Sequence, residues 1–160
     1  MKYEKAKRIG EEVLDKIKPY IDKGIIAGSV RRNKSECHDV DLVIIPKREF
    51  MVLERIKEVL KQYGKIEKDG QEIIIVKDVE NDVQVDCYIA NDKNYEVILL
   101  IRTGSKEHNI KLAQTAIKQD KSLKFGVGLI DKETGKILAN TEKGIFEELE
   151  MEYVEPVKRN

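Results

Sequence analysis

Two aspartates one residue apart, Asp39 and Asp41, lead into an apolar run, Leu42-Val43-Ile44-Ile45. Side chains alternate faces along a strand, so both carboxylates point the same way. Two carboxylates on one face of a strand end can share a divalent cation. Upstream the chain reads Gly28-Ser29 and then Arg31-Arg32. A glycine turn with free backbone N–H groups, followed by arginines, can hold phosphate. Together these are the parts of a metal-dependent nucleotidyl-transfer site.

Such a site uses two divalent ions about 4 Å apart, and their charge calls for roughly three carboxylates. Asp86 is the best third candidate, because it sits among apolar residues where a bare carboxylate is costly. Alternation over Val83 to Ala90 puts Gln84, Asp86 and Tyr88 on one face and Val83, Val85, Cys87 and Ile89 on the other. Asp78, at the end of the preceding strand, is the runner-up, and Asp82 and Asp92 fall in turns. A lone strand aspartate is more often structural. The Gly-Ser turn, the loop and the Asp-x-Asp pair entering an apolar strand gain their meaning together.

The elements that must position these groups follow from periodicity. Residues 3–22 carry Ile9, Val13, Leu14, Ile17 and Ile21 at helical spacing, with Pro19 late and Gly24 after it. Ile25-Ile26-Ala27 reads as a short buried strand, residues 30–38 as a polar loop, and Val40–Ile45 as a second strand closed by Pro46. Glu49–Tyr63 reads as a helix with Met51, Val52, Ile56, Val59 and Leu60 inward, ended by Gly64. Strands follow at 66–68 and 73–76 around the Asp69-Gly70 turn, and then at 83–90. A helix at 95–101 precedes Thr103-Gly104-Ser105, and Ser105 can cap a helix over 106–120 with Ile110, Leu112, Ala113, Ala116 and Ile117 as its stripe. Short strands and a helix at 142–149 close the chain. The expected fold class is α+β: a mixed sheet with helices on one side over residues 1–100, and a small α+β lobe over 101–160.

The chain has 160 residues, with 30 basic and 30 acidic side chains. Zero net charge argues mildly against indiscriminate nucleic-acid binding. The distribution says more: residues 1–35 hold ten basic against five acidic, and residues 36–100 hold nine against fifteen. The acidic middle contains the candidate ligands and lies between basic flanks. Two cysteines, Cys37 and Cys87, give neither a disulfide framework nor a zinc pair, and a buried structural role suits Cys87. No apolar run reaches membrane-spanning length and the N-terminus has no secretory pattern, so an intracellular setting is expected.

The run GSVRRNKSECHDVDLVI resembles the G-S-x-R-R-G-x-x-x-x-G-D-x-D signature of family X DNA polymerases, the group of DNA polymerase beta. Asp86 and the segment TGSKEHN match that family's third metal aspartate and its T-G-S-x-x-x-N segment in order and separation. The ending TEKGIFEELEMEYVEPVKRN is similar to the family's closing pattern. The resemblance implies a palm-plus-thumb architecture, reduced as in the short viral members. It implies that Asp39, Asp41 and Asp86 bind two Mg²⁺ ions, with Mn²⁺ able to substitute, and that Asp86 lies near a primer 3′-hydroxyl. Gly28, Ser29 and Arg32 would meet the triphosphate. Gly104 and Ser105 would sit at the sugar across a cis peptide, and Asn109 at the base edge. His38, in place of the family's glycine, would lie beside the triphosphate path. Lys106, Lys111 and Lys118 would hold DNA phosphates.

The implied activity is DNA-directed DNA synthesis from dNTPs in short repair gaps, by a monomer in the cytoplasm or nucleoid, or in a host cell if viral. Ile101 and Arg102 replace two aromatic residues that sort the sugar in the family. Gln84 and Ala113 replace two arginines, so low fidelity is expected. No lyase or helix-hairpin-helix lobe precedes the palm helix in this sequence. Two other readings stay open: a nucleotidyltransferase acting on a small molecule, RNA or protein, and an inactive DNA-binding subunit. The T-G-S-x-x-x-N segment argues against the first, and the complete aspartate triad against the second.

Overall fold

The computed structural model describes residues 1–159. Asn160, the last residue of the expected C-terminal lobe, lies outside the described residues. Among the described residues, no helix is long and apolar enough to cross a membrane.

A five-stranded mixed sheet, in the order β1-β2-β5-β4-β3, forms the first layer. Its strands are β1 (Ile21–Ile26), β2 (Val40–Pro46), β3 (Lys65–Asp69), β4 (Ile73–Asp78) and β5 (Val83–Ile89). Helices α1 (Tyr3–Ile17) and α3 (Val52–Leu60) cover one face. Their Ala6, Ile9, Val13, Ile56 and Leu60 pack against Val40, Leu42, Ile44, Val85 and Cys87. Strand alternation therefore sends Asp41 and Asp86 to the opposite face.

The expected first helix stops five residues early, at Ile17. Pro19 lacks the N–H that a helix ladder needs and sits in a 3-10 turn, Lys18–Tyr20. Ile21 then opens β1 instead of closing the helix stripe, and pairs with Pro46. Asp22, Lys23 and Gly24 are exposed on this edge strand, so no apolar pattern announced its first half. The polar loop expected at 30–38 begins as a helical turn, α2 (Gly28–Arg31). Met51 does not turn inward as expected. It adopts a left-handed φ of 59° before α3 and is half-exposed, leaving the buried place to Val52. Asp78, the runner-up ligand, accepts hydrogen bonds from the backbone N–H groups of Glu80 and Asn81, which makes it a turn residue.

The second layer holds α4 (Tyr95–Thr103), α5 (Lys106–Lys118), a three-stranded antiparallel sheet and α6 (Glu142–Glu148). The sheet strands are β6 (Lys121–Lys124), β7 (Gly128–Asp131) and β8 (Ile137–Ala139). Val97 and Leu100 of α4 pack with Leu112, Leu129, Ile145 and Phe146. Ile98 and Leu99 of the same helix pack with Ala27, Val43, Ile45 and Tyr88 of the first layer. The boundary proposed at 100/101 thus falls inside a helix that serves both clusters.

Ser105 caps α5 by accepting from the His108 N–H. The helix is rotated relative to the expected stripe: its buried residues are His108, Leu112 and Ala116, while Ile110 and Ile117 are exposed. The helix thus has a second apolar face, and that face looks away from the lobe core.

A buried ion cluster joins the layers. Glu142 accepts two hydrogen bonds from Arg31 of α2, both at 2.9 Å, and one from Arg159 at 2.7 Å. Burial opposes ionisation of Glu142, but the two guanidinium groups outweigh it and hold the carboxyl below its usual range. His108 is buried close by, and neither ring nitrogen has a hydrogen-bond partner. Burial, then the charges of Arg159 and Lys111, push it down to about 4, against the weaker pull of Glu142.

An unfolded chain binds a proton at His108 below about pH 6.5, and the fold resists doing so until about pH 4. The unfolded state therefore binds more protons in that window, and stability falls as pH drops through it. His108→Leu removes this loss. Urea titrations should find the variant close to wild type at pH 7.5 and about 1–2 kcal/mol more stable relative to wild type at pH 5.

Candidate active site

The site is built on the parallel pairing of β2 with β5. Asp41 stands opposite Asp86 in the register, and Val43 opposite Tyr88. Asp39 immediately precedes β2. One carboxylate oxygen from each of Asp39, Asp41 and Asp86 lies within 4.8 Å of the other two. Asp86 is buried, and accepts from Gln84 Nε2 at 2.9 Å and from the Tyr88 hydroxyl at 3.4 Å.

Three carboxylates this close are not content without a cation. Burial, then the charges of Asp39 and Asp86, push Asp41 up to about 8. Burial, and then Asp39, also raise Asp86, against the hydrogen bond from Gln84. A divalent ion would relieve both the repulsion and the lost hydration. All-oxygen donors on two adjacent strand ends suit a hard cation such as Mg²⁺ or Mn²⁺.

The Gly28-Ser29 turn is pressed onto this cluster. Gly28 has a left-handed φ of 58°, and a Cβ there would lie 1.9 Å from Asp41 Oδ2. Only glycine lets α2 start so close to the carboxylate. The Ser29 Oγ is buried without a partner. Arg32 Nη1 donates to the Thr103 carbonyl. Arg31 donates to the Thr103 hydroxyl and to Glu142. Arg31 is therefore spent on the fold, which leaves Arg32 as the arginine of the pair that faces the cleft.

The cleft has a volume of about 530 Å³. Arg32, Asp39, Asp41, Gly104, Lys106 and Asn109 line it, together with Tyr88, Ile101, Arg102, Ile110 and Ala113. The Gly104–Ser105 peptide is cis, and Gly104 has φ 67° with Arg32 packed against it. Asn109 Nδ2 donates to the Ile101 carbonyl at 2.8 Å, while its Oδ1 is buried without a partner. His38 is exposed and does not line the cleft. Neither do Lys111 and Lys118, which are exposed on α5 seven residues apart, hence on one face. Sequence reasoning passed over Tyr88 and Glu142 as site-shaping groups, and weighed Arg102 only as a replacement for an aromatic residue at the sugar. For Tyr88 the signal was present, since it shares a strand face with Asp86. For Glu142 there was none, because its partners lie far away along the chain.

Electrostatics predicts a trade between stability and metal binding. With chelator at pH 8.5, Asp41→Asn removes one of three crowded charges. Its thermal midpoint should exceed that of wild type by about 2–4 °C. Mg²⁺ should raise the wild-type midpoint and leave that of Asp41→Asn unmoved in differential scanning fluorimetry. Gly28→Ala, which displaces the Asp41 carboxylate, should lose the Mg²⁺ response as well.

Comparison with known proteins agrees with this geometry. A family model for the DNA polymerase beta thumb matches residues 98–160. Over 135 residues the chain is 28% identical to a protein of Bacillus subtilis (strain 168) named DNA polymerase/3′-5′ exonuclease PolX. That match covers 82% of this chain and 23% of the relative, so the chain spans about a quarter of the relative's length. The thumb match lies over the second layer, and the aspartates stand on the sheet of the first. The chain is thus similar to family X polymerases, and its α+β fold, a mixed five-stranded sheet joined to a lobe that matches the DNA polymerase beta thumb, is consistent with a palm-plus-thumb nucleotidyltransferase-like architecture.

Proposed function

We propose that this chain is a DNA-directed DNA polymerase of family X, which transfers a nucleotide from a dNTP to a primer 3′-hydroxyl and releases pyrophosphate. The observation that carries this reading is the aspartate cluster, three carboxylate oxygens within 4.8 Å of one another, with Asp39 and Asp41 on the wall of a cleft and Asp86 buried behind them. The name of the Bacillus subtilis relative, a DNA polymerase and exonuclease, supports the choice of DNA as substrate.

Asp39, Asp41 and Asp86 would hold divalent ions, which supply charge neutralisation at the phosphoryl oxygens when bound. Arg32 would fix the triphosphate. Its guanidinium is tethered to the Thr103 carbonyl, so little side-chain freedom is lost on binding. Gly28 and Gly104 permit backbone to approach the phosphates and the sugar closely. Asp86, level with Asp41 on the neighbouring strand, is the carboxylate this reading places nearest the attacking primer hydroxyl. Asn109 would meet the base edge once its bond to the Ile101 carbonyl opens. Lys106, Lys111 and Lys118 would meet DNA phosphates, which makes binding salt-sensitive.

The wall beside the base is apolar, formed by Ile101, Ile110 and Ala113. It offers shape without hydrogen-bond donors and suits low-fidelity synthesis in short repair gaps. Residues 1–100 act in this reading as the palm, and residues 101–160 as the thumb that closes on the nascent base pair.

A one-nucleotide gapped duplex incubated with Mg²⁺ and each dNTP or NTP tests the proposal. Extension by the templated dNTP is expected, falling at least about a hundredfold in Asp86→Ala. Arg32→Lys should raise the KM for dNTP about tenfold through loss of the fork. No extension by wild type under any nucleotide would remove the polymerase reading.

A further inference from the structure

Arg102 stands in the cleft with a geometry that the aspartates and Arg32 do not explain. It lies in the last turn of α4, and its guanidinium carbon is 4.3 Å from the Tyr88 ring centroid and 4.6 Å from that of Phe125. Tyr88 belongs to β5 beside Asp86, and Phe125 to the turn between β6 and β7, so a ring from each layer holds the guanidinium. A guanidinium packed between aromatic rings still has its fork of N–H donors to present. No hydrogen bond, and no ion pair within 4.0 Å, joins that fork to any described residue. Its Nε is buried without a partner.

A group with five donors and no acceptor, rigidly held on the wall of a cleft, calls for an acceptor that the protein does not supply. The aspartates are near enough for their ionised forms to be favoured by Arg102, yet it pairs with none of them. Arg32, by contrast, is tied to the Thr103 carbonyl on the α2 side of the cleft. The two arginines thus offer separate cationic contacts.

We propose that Arg102 is a second phosphate-binding fork of the cleft, pre-oriented by Tyr88 and Phe125 to take the oxygens of a phosphate. The proposal rests on the polymerase reading, which brings phosphate to this cleft from two sources. One is the phosphodiester at the primer end, and the other is the nucleotide triphosphate. Arg102 binds substrate directly in this scheme, and the two rings are positioning residues.

The test uses Arg102→Met, which keeps the stem and removes the fork, and Arg102→Lys, which keeps a charge without the fork. Fluorescence anisotropy of a primed duplex in chelator reads the phosphodiester arm. Binding of dNTP to a complex with a dideoxy-terminated primer and Mg²⁺ reads the triphosphate arm. Mg²⁺ affinity without substrate is measured by thermal shift. Arg102→Met should weaken one arm about tenfold while changing Mg²⁺ affinity by a smaller factor, and the weakened arm identifies the source. Arg102→Lys should recover less than half of that loss. Phe125→Ala, at a half-exposed position, should weaken the same arm by a smaller factor.

Unchanged binding in both arms would overturn the proposal. So would tighter Mg²⁺ binding by Arg102→Met with both arms unchanged, since Arg102 would then only balance the aspartates. Full recovery by Arg102→Lys would overturn the fork and leave a point charge. Failure of wild type to bind either substrate would instead count against the polymerase reading itself.

Discussion

The parallel register of β2 on β5 is the constraint on which the site depends. It sets Asp41 opposite Asp86, with both on the face that α1 and α3 leave uncovered. Side chains repeat every two residues along a strand, so a slip of one residue would turn Asp86 into the apolar layer and Cys87 out of it. The register is held by the same residues that would suffer. Val85 and Cys87 on β5 and Leu42 and Ile44 on β2 are fully buried against the helices. A parallel pair also needs a long connection, and α3, β3 and β4 provide it. Much of the first layer can be understood as the means of bringing two strands side by side with their carboxylates level.

The Glu142 cluster does a comparable task between the layers. A carboxylate buried with two arginines is a poor source of net stability, because desolvation consumes most of the attraction. Its value lies in geometry. Arg31 reaches Glu142 and Thr103 together, so α2 is held against both α6 and the end of α4. Arg32 is the next residue and bonds to the carbonyl of the same threonine. The arginine that faces the cleft is therefore aimed by its neighbour, which is anchored in the second layer. Burial first, and then the charges of Arg159 and Lys111, keep the nearby His108 neutral.

How much of this could be read from the sequence follows from the range of each interaction. Strands β2 and β5 and their aspartates were legible because alternation is local and a carboxylate among valines is conspicuous. The Ser105 cap was legible for the same reason, since donor and acceptor lie three residues apart. The first half of β1 was hidden because an edge strand with an exposed middle has no pattern. The face of α5 was misread because the helix is apolar on two sides, and periodicity alone does not say which side meets the lobe core. The Glu142 cluster could not be anticipated, since its partners are 111 and 17 residues away. The separation of Arg31 from Arg32 followed from the same blind spot: two adjacent arginines look alike until one is found bound to that carboxylate.

The second apolar face of α5 gives the cleft its character. Ile110 and Ala113 form one wall with Ile101, while Arg32, Arg102 and Lys106 bring positive charge and Asp39 and Asp41 negative charge. A charged wall fixes phosphates and ions by charge and directed hydrogen bonds, and holds whatever carries them in place. An apolar wall accepts any flat surface of suitable shape, because burial is non-directional. Discrimination by hydrogen bonding requires donors that are left unpaired by the wrong partner, and such a penalty is what makes polar readout strict. Here the single amide on that side, Asn109, already donates to the Ile101 carbonyl. A cleft of this kind is therefore strict about charged groups and permissive about flat apolar ones.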